Sequence, residues 1–127
     1  MLIADDHEML QRGLKLILLE EFRGAQFGES GNARETLEQV AAREWDLVLL
    51  DLNMPGGSGL DVLAEIKRRR PKTPVLILSA SAESEYAVRT IRAGAAGFIN
   101  KQYAAYELIT AIRKVMSSGT YVSAAVA

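Results

Sequence analysis

Leu47-Val48-Leu49-Leu50-Asp51-Leu52-Asn53-Met54-Pro55-Gly56-Gly57 decides how the rest of the chain is read. Four apolar residues in a row, without alternation, describe a strand buried on both faces, as in a parallel sheet covered by helices on each side. An acid stands at the end of the run, and Pro-Gly-Gly then breaks the chain. Three other runs share this character: Leu2-Ile3-Ala4, Val75-Leu76-Ile77-Leu78 and Gly97-Phe98-Ile99. Ala25-Gln26-Phe27-Gly28 is a weaker fifth.

Helical periods fill the intervals. Leu10, Leu14, Ile17 and Leu18 fall on one face, and Ala33, Leu37, Val40 and Ala41 repeat the spacing. Asn32 and Glu35 are spaced for a capping box at the start of that second helix. Leu60, Leu63 and Ile66 mark a third helix, Ala87, Val88 and Ile91 a fourth. Ala105, Leu108, Ile109, Ile112, Val115 and Met116 mark a fifth. Five strand-helix units in succession predict right-handed crossovers and one doubly wound α/β domain, a five-stranded parallel sheet with helices on both faces.

The chain has 127 residues, about one domain, and a formal charge of −1 from 15 basic and 16 acidic residues. That balance provides no broad basic field for nucleic acid. The absence of cysteine excludes disulfides and thiolate metal sites, and a single histidine, His7, excludes a multi-histidine zinc site. No apolar run reaches the length of a spanning helix, so no membrane association is expected.

In an open parallel sheet, ligands bind beyond the carboxyl ends of the strands. The runs end in Asp5-Asp6, in Asp51, in Ser79 and in Asn100-Lys101. Three carboxylates, a hydroxyl and an ammonium are therefore expected at one edge. Two like charges about 4 Å apart repel by roughly 4 kcal/mol at an effective dielectric near 20, so such a cluster holds either a proton or a cation. Charge balance favours a divalent ion, and all-oxygen ligands favour Mg²⁺, with Mn²⁺ as the alternative. Each piece also has a plainer reading in isolation. Asp5-Asp6 would serve as a helix cap, Asp51 as a turn acid, Ser79 as a cap and Lys101 as a solvated cation. His7 reads as a partly exposed helix-start residue beside the acids, not as a ligand.

The order Leu-Ile-Ala-Asp5-Asp6-His7, Leu-Leu-Asp51-Leu-Asn53-Met-Pro-Gly, Leu-Ser79-Ala80 and Gly-Phe98-Ile-Asn-Lys101 resembles the receiver domain of two-component response regulators over essentially the whole chain. The opening Ala-Asp-Asp-His and the closing Ala-Ile-Arg-Lys-Val…Gly-Thr-Tyr-Val-Ser resemble the LuxR-type (NarL/FixJ) branch. The resemblance implies a flavodoxin-like strand order 2-1-3-4-5. Asp51 would be the phosphoacceptor, fed by a sensor histidine kinase in the presence of Mg²⁺. Asp5, Asp6, Asp51 and the backbone carbonyl of Asn53 would hold the metal, with Asp5 acting mainly through water. Lys101 and Ser79 would contact the phosphoryl group.

Ser79 and Phe98 would form the conformational switch, with a static core phenylalanine as the plainer reading of Phe98. Asn53 and Ser81 occupy positions that tune dephosphorylation in the family, and an intermediate phosphoaspartate lifetime is expected from them. Residues 1–118 would be the receiver, and 119–127 the start of a linker to a C-terminal helix-turn-helix domain absent from this chain, through which alone DNA would be bound. The domain would be cytoplasmic and no enzyme beyond its own phosphoryl transfer and autodephosphorylation.

Two departures from the family stand out. Phe98 lacks the phenolic hydroxyl of many relatives, and Gln102 replaces a common proline, so a trans bond after Lys101 is expected. Met9, Leu16 and Leu19 form a second apolar stripe on the first helix. It would dock a kinase or a second receiver as a homodimer, unless the fifth helix covers it. Lys67-Arg68-Arg69-Arg70 before Pro71 reads as a solvated helix end. Competing functions are an aspartate-nucleophile phosphatase of haloacid dehalogenase type and a receiver-like interaction module that is never phosphorylated. The phosphatases expect an Asp-x-Asp pair after the first strand and a lid domain, where this chain has adjacent Asp5-Asp6.

Overall fold

The continuous apolar runs become the inner strands of one parallel sheet, because every side chain on them has a helix layer to meet. A computed structural model describes residues 1–80 and 84–122. Strands β1 (Leu2–Ala4), β3 (Val48–Asp51), β4 (Val75–Ser79) and β5 (Gly97–Asn100) fall on the expected runs. Helices α1 (Glu8–Glu21), α2 (Ala33–Ala42), α3 (Gly59–Arg69), α4 (Ser84–Arg92) and α5 (Ala104–Ser118) fill the intervals. The expected order 2-1-3-4-5 is present, all parallel, with a short sixth strand added beside β5.

Alternation along the strands divides the core in two. Leu2, Val48, Leu50, Val75, Ile77 and Phe98 pack with Val40, Val62, Leu63, Ile66 and Ala87, beneath α2, α3 and α4. Ile3, Leu49, Leu76, Leu78 and Ile99 pack with Leu14, Leu18, Leu108, Ile112 and Val115 from α1 and α5. Full burial of each such side chain stabilises by about 1.5–3 kcal/mol, so the central strands are fixed in register by both layers.

The weak fifth run is displaced. Strand β2 is Gly28–Ser30, overlapping Ala25–Gly28 at one residue only. It is an edge strand with one neighbour, so its polar residues suffice, and Phe27 packs from outside the strand against the α1/α5 core. Trp45 lies against Gly28, supplying apolar cover that the strand itself lacks. Asn32 caps α2 by accepting from the Glu35 N–H at 2.8 Å. Glu35 closes the box onto the Gly31 N–H at 3.0 Å, one residue earlier than the usual partner.

Helix α5 ends at Gly119, which takes φ 87°. The segment read as the start of a linker turns back here, and β6 (Tyr121–Val122) pairs parallel with β5. The Tyr121 hydroxyl donates to Glu107 at 3.0 Å, and burial together with that carboxylate raises the phenol above its ordinary pKa. At Gly97 a Cβ would collide with the Tyr121 backbone, so a glycine is what admits this strand.

Candidate functional site

Three strand ends deliver the charged groups. Asp5 follows β1 and is almost fully buried; its Oδ1 accepts the His7 N–H at 2.7 Å and so starts α1. Asp51 ends β3, is fully buried, and accepts the Asn53 N–H at 3.0 Å. Beyond β5, Asn100 Oδ1 accepts the Gln102 N–H at 2.9 Å, capping a 3-10 turn over Lys101–Tyr103. That turn aims Lys101 back across the sheet edge. Its Nζ lies 2.9 Å from Asp51 Oδ2 and 3.1 Å from Asp5 Oδ2. The Lys101–Gln102 bond is trans, as expected.

Asp6 stands at the mouth, with its side chain 31% exposed. Ser79 is buried at the end of β4, in register beside Asn100 and one position beyond the Leu78 that pairs with Asp51. The loop from Asp51 to α3 is tied down at both ends. Pro55 O accepts the Ala33 N–H at 3.1 Å, and Gly59 approaches the Leu52 backbone so closely that no Cβ fits. Asn53 on this loop faces solvent.

Burial pushes the Asp51 carboxyl above its ordinary pKa, and the nearby Asp5 charge adds to the effect. The Asn53 N–H and the Lys101 ammonium pull it back only in part. Asp5 Oδ2 and Asp51 Oδ2 are ion-paired with Lys101, yet each is buried without a hydrogen bond. Buried carboxylate oxygens left in that condition are costly. Ligand atoms of Asp5, Asp6, His7 and Asp51 all lie within 4.8 Å of one another. Chemically, the pocket can hold a hard divalent cation and present one buried carboxylate to an anion that the cation and Lys101 would attract.

The structure thus brings Asp5, Asp6, Asp51 and Lys101 together and sets Ser79 and Asn53 on the adjoining strand end and loop. Phe98 is elsewhere: it is buried in the core beneath α2–α4, in register with Ile77. Ser81 lies outside the described residues.

Two residues enter that sequence reasoning passed over or assigned no role in the site. The buried Gln11 amide lies 3.1 Å from Ile3 O, 3.3 Å from Asp5 O and 3.2 Å from Ser30 O, and ties the ends of β1 and β2 to α1. Its signal was available, since it shares the face of Leu14 and Leu18 at helical spacing. His7 turns its Nδ1 into the pocket, 3.0 Å from Lys101 Nζ.

On α1, Met9, Leu16 and Leu19 remain 89%, 68% and 41% exposed, so α5 does not cover this stripe. The basic run is absorbed locally. Arg68 and Arg69 hold the Glu65 carboxyl down to about 2, and Arg70 donates to Val40 O and Ala41 O. No helix among the described residues is long and apolar enough to cross a membrane.

These features define a class: an α/β domain with a buried acid pair and a lysine at the carboxyl edge of its sheet. The model of the response regulator receiver domain family matches residues 1–113. Response regulator UvrY of Escherichia coli K12 is 32% identical over 99% of this chain and 58% of its own length. Transcriptional activator protein ExaE of Pseudomonas putida is 34% identical over 95% of this chain and 56% of its own length. The receiver domain of NtrX from Brucella abortus superposes with a TM-score of 0.83 at 32% identity, covering 92% of this chain and 98% of that one. The chain belongs to the response regulator receiver domain family. It spans a little over half the length of the curated relatives it matches.

Proposed function

We propose that this domain accepts a phosphoryl group on Asp51 from the phosphohistidine of a sensor histidine kinase, and that the acyl phosphate switches a longer regulator. The observation that carries the reading is the fully buried Asp51 carboxylate, ion-paired at 2.9 Å to Lys101 at the end of a central strand. In the step, an Asp51 oxygen attacks phosphorus and the phosphorus–nitrogen bond breaks. The leaving imidazole takes a proton from water. An ionised carboxylate needs no general base, which suits a pocket whose one imidazole sits at the mouth.

Lys101 balances the phosphoryl charge as a point cation, and Ser79 donates to a phosphoryl oxygen. Asp5, Asp6, Asp51 and the Asn53 carbonyl would hold the metal. Mg²⁺, or Mn²⁺ in its place, supplies neutralisation of charge on the transferring group when bound. Two buried carboxylates, with Asp6 beside them, share a single lysine, and that excess of negative charge supports a cation there.

Ser79 is drawn toward the phosphoryl group, and Phe98, two residues before Asn100 on β5, responds through packing alone. β6 is hydrogen-bonded alongside that same strand, so a shift of β5 reaches the segment after residue 118 directly. Residues 1–118 act as the receiver, and the chain from 119 leads by way of β6 to a C-terminal helix-turn-helix domain that binds DNA. The module works in the cytoplasm. The exposed Met9, Leu16 and Leu19 stripe serves the kinase or a second copy of the receiver. The phosphatase alternative is not favoured: Asp5 and Asp6 are adjacent at the end of β1.

The test is incubation of the chain with acetyl phosphate and Mg²⁺, followed by intact mass. One phosphoryl group is expected on the unaltered chain and none on Asp51→Asn. Steady turnover of an aryl phosphate without incorporation would instead mark an enzyme.

A further inference from the structure

We propose that β6 is a latched strap: the Tyr121 hydroxyl on Glu107 holds it closed against β5, and phosphorylation of Asp51 loosens it by displacing Lys101. This rests on the reading of Asp51 as the phosphoacceptor and names the contact that the event would break. Two anchors hold the strap. The Tyr121 N–H donates to Ala96 O at 2.8 Å, and Tyr121 and Val122 stand in register with Gly97 and Phe98. The Tyr121 hydroxyl donates to Glu107 at 3.0 Å, in the first turn of α5. Between these anchors in the chain lies the 3-10 turn that begins with Lys101. The strap thus ties together the two ends of the segment whose middle carries the lysine of the pocket.

The hold is weak enough to be switched. β6 has two residues and β5 as its one strand neighbour, and Gly119, at φ 87°, turns it away from the axis of α5. So short a strand has little ladder of its own. The phenol contact therefore decides whether it stays closed. Burial and the Glu107 carboxylate together keep the phenol protonated, which makes it the donor that a carboxylate requires. Tyr121 also packs partly against the α1/α5 core, so the closed strap has one defined seat.

The closed state belongs to one position of Lys101, with Nζ at 2.9 Å from Asp51 Oδ2 and 3.1 Å from Asp5 Oδ2. A phosphoryl group on Asp51 adds bulk and negative charge at the place where the ammonium now meets the carboxylate. Lys101 then moves with the new charge and carries its turn along. That turn joins β5 on one side to the first turn of α5 on the other, so the two anchors shift relative to each other. Packed contacts of this kind are made or broken rather than stretched.

The experiment is residue-resolved amide hydrogen exchange on the full chain before and after acetyl phosphate and Mg²⁺, with intact mass taken on the same samples. Phosphorylation should lower protection of the Tyr121 amide by about tenfold, the scale of one hydrogen bond in a local opening. The Val48 amide, which donates to Pro74 O on central strand β3, should keep its protection. In untreated chains Tyr121→Phe and Glu107→Leu should each produce the same loss at position 121. Glu107→Gln, which keeps an acceptor, should retain most of the protection. Unchanged Tyr121 protection in a sample that carries one phosphoryl group overturns the strap and leaves the phosphoacceptor reading standing. A sample that gains no mass overturns that reading, and the strap with it. If Tyr121→Phe is as protected as the unaltered chain, or if the loss extends equally to Val48, the hydroxyl is not what holds β6.

Discussion

Two crowded charge clusters lie in this molecule, and the fold treats them in opposite ways. At the end of α3, Arg68 and Arg69 share Glu65, Arg70 caps the last carbonyls of α2, and Lys67 donates to Pro71 O and Thr73 O. Each of the four cations finds its partner within the surrounding structure, largely in solvent. At the carboxyl edge of the sheet, Asp5 and Asp51 are buried side by side with one lysine between them, and two carboxylate oxygens receive no hydrogen bond. Charge density alone does not distinguish a working site from a solvated surface. What distinguishes them is whether the fold completes the cluster by itself.

Removing the internal cation should break the comparison most strongly. Lys101→Met leaves two buried carboxylates without compensation, and loss of one partner from a buried ion pair costs about 3–5 kcal/mol. Thermal melting without metal should fall steeply, and added Mg²⁺ should recover most of the loss. An unchanged melt would mean that Lys101 does not balance the acids. Gln11→Leu should come next, at about 1–3 kcal/mol, because three carbonyl oxygens at the ends of β1 and β2 lose their buried donor. Metal affinity should fall as well, since the same amide anchors Asp5.

Asp51→Asn should act in the opposite direction. The Asp51 pKa is raised in the fold, so its ionisation costs stability above the folded pKa, and that stability returns as pH falls through it. The metal-free variant should therefore melt above the unaltered chain at neutral pH, and the gap should narrow on acidification toward the ordinary carboxylate range. A gap independent of pH would sink the assignment. Smallest of all, Glu65→Ala should leave the melting temperature almost unchanged, because surface pairs contribute little. A larger loss would mean that the basic end is a cluster the fold depends on.

The central strands and the pocket's charged residues were legible because two-sided burial leaves continuous apolar runs, and the acids stand directly after them. β2 was displaced because an edge strand needs few apolar residues of its own, and Phe27 and Trp45 supply the cover from outside it. β6 is two residues long, and only its pairing with β5 across the open Gly97 distinguishes it from a linker. Asp6, at the mouth, was as readable as Asp51, since adjacency to a strand end reports position whatever the burial. The direction in which His7 points was not readable, because it depends on the turn that Asp5 makes with the His7 N–H. Gln11 could have been found as the one polar residue in a buried stripe.

The account stands or falls on the site of phosphorylation. After treatment with acetyl phosphate and Mg²⁺, borohydride reduction converts an aspartyl phosphate to homoserine, which peptide mass mapping locates. Homoserine at position 51 alone is the expected result. Homoserine at any other position, or a phosphoryl group that survives reduction as a hydroxyl ester, would contradict it.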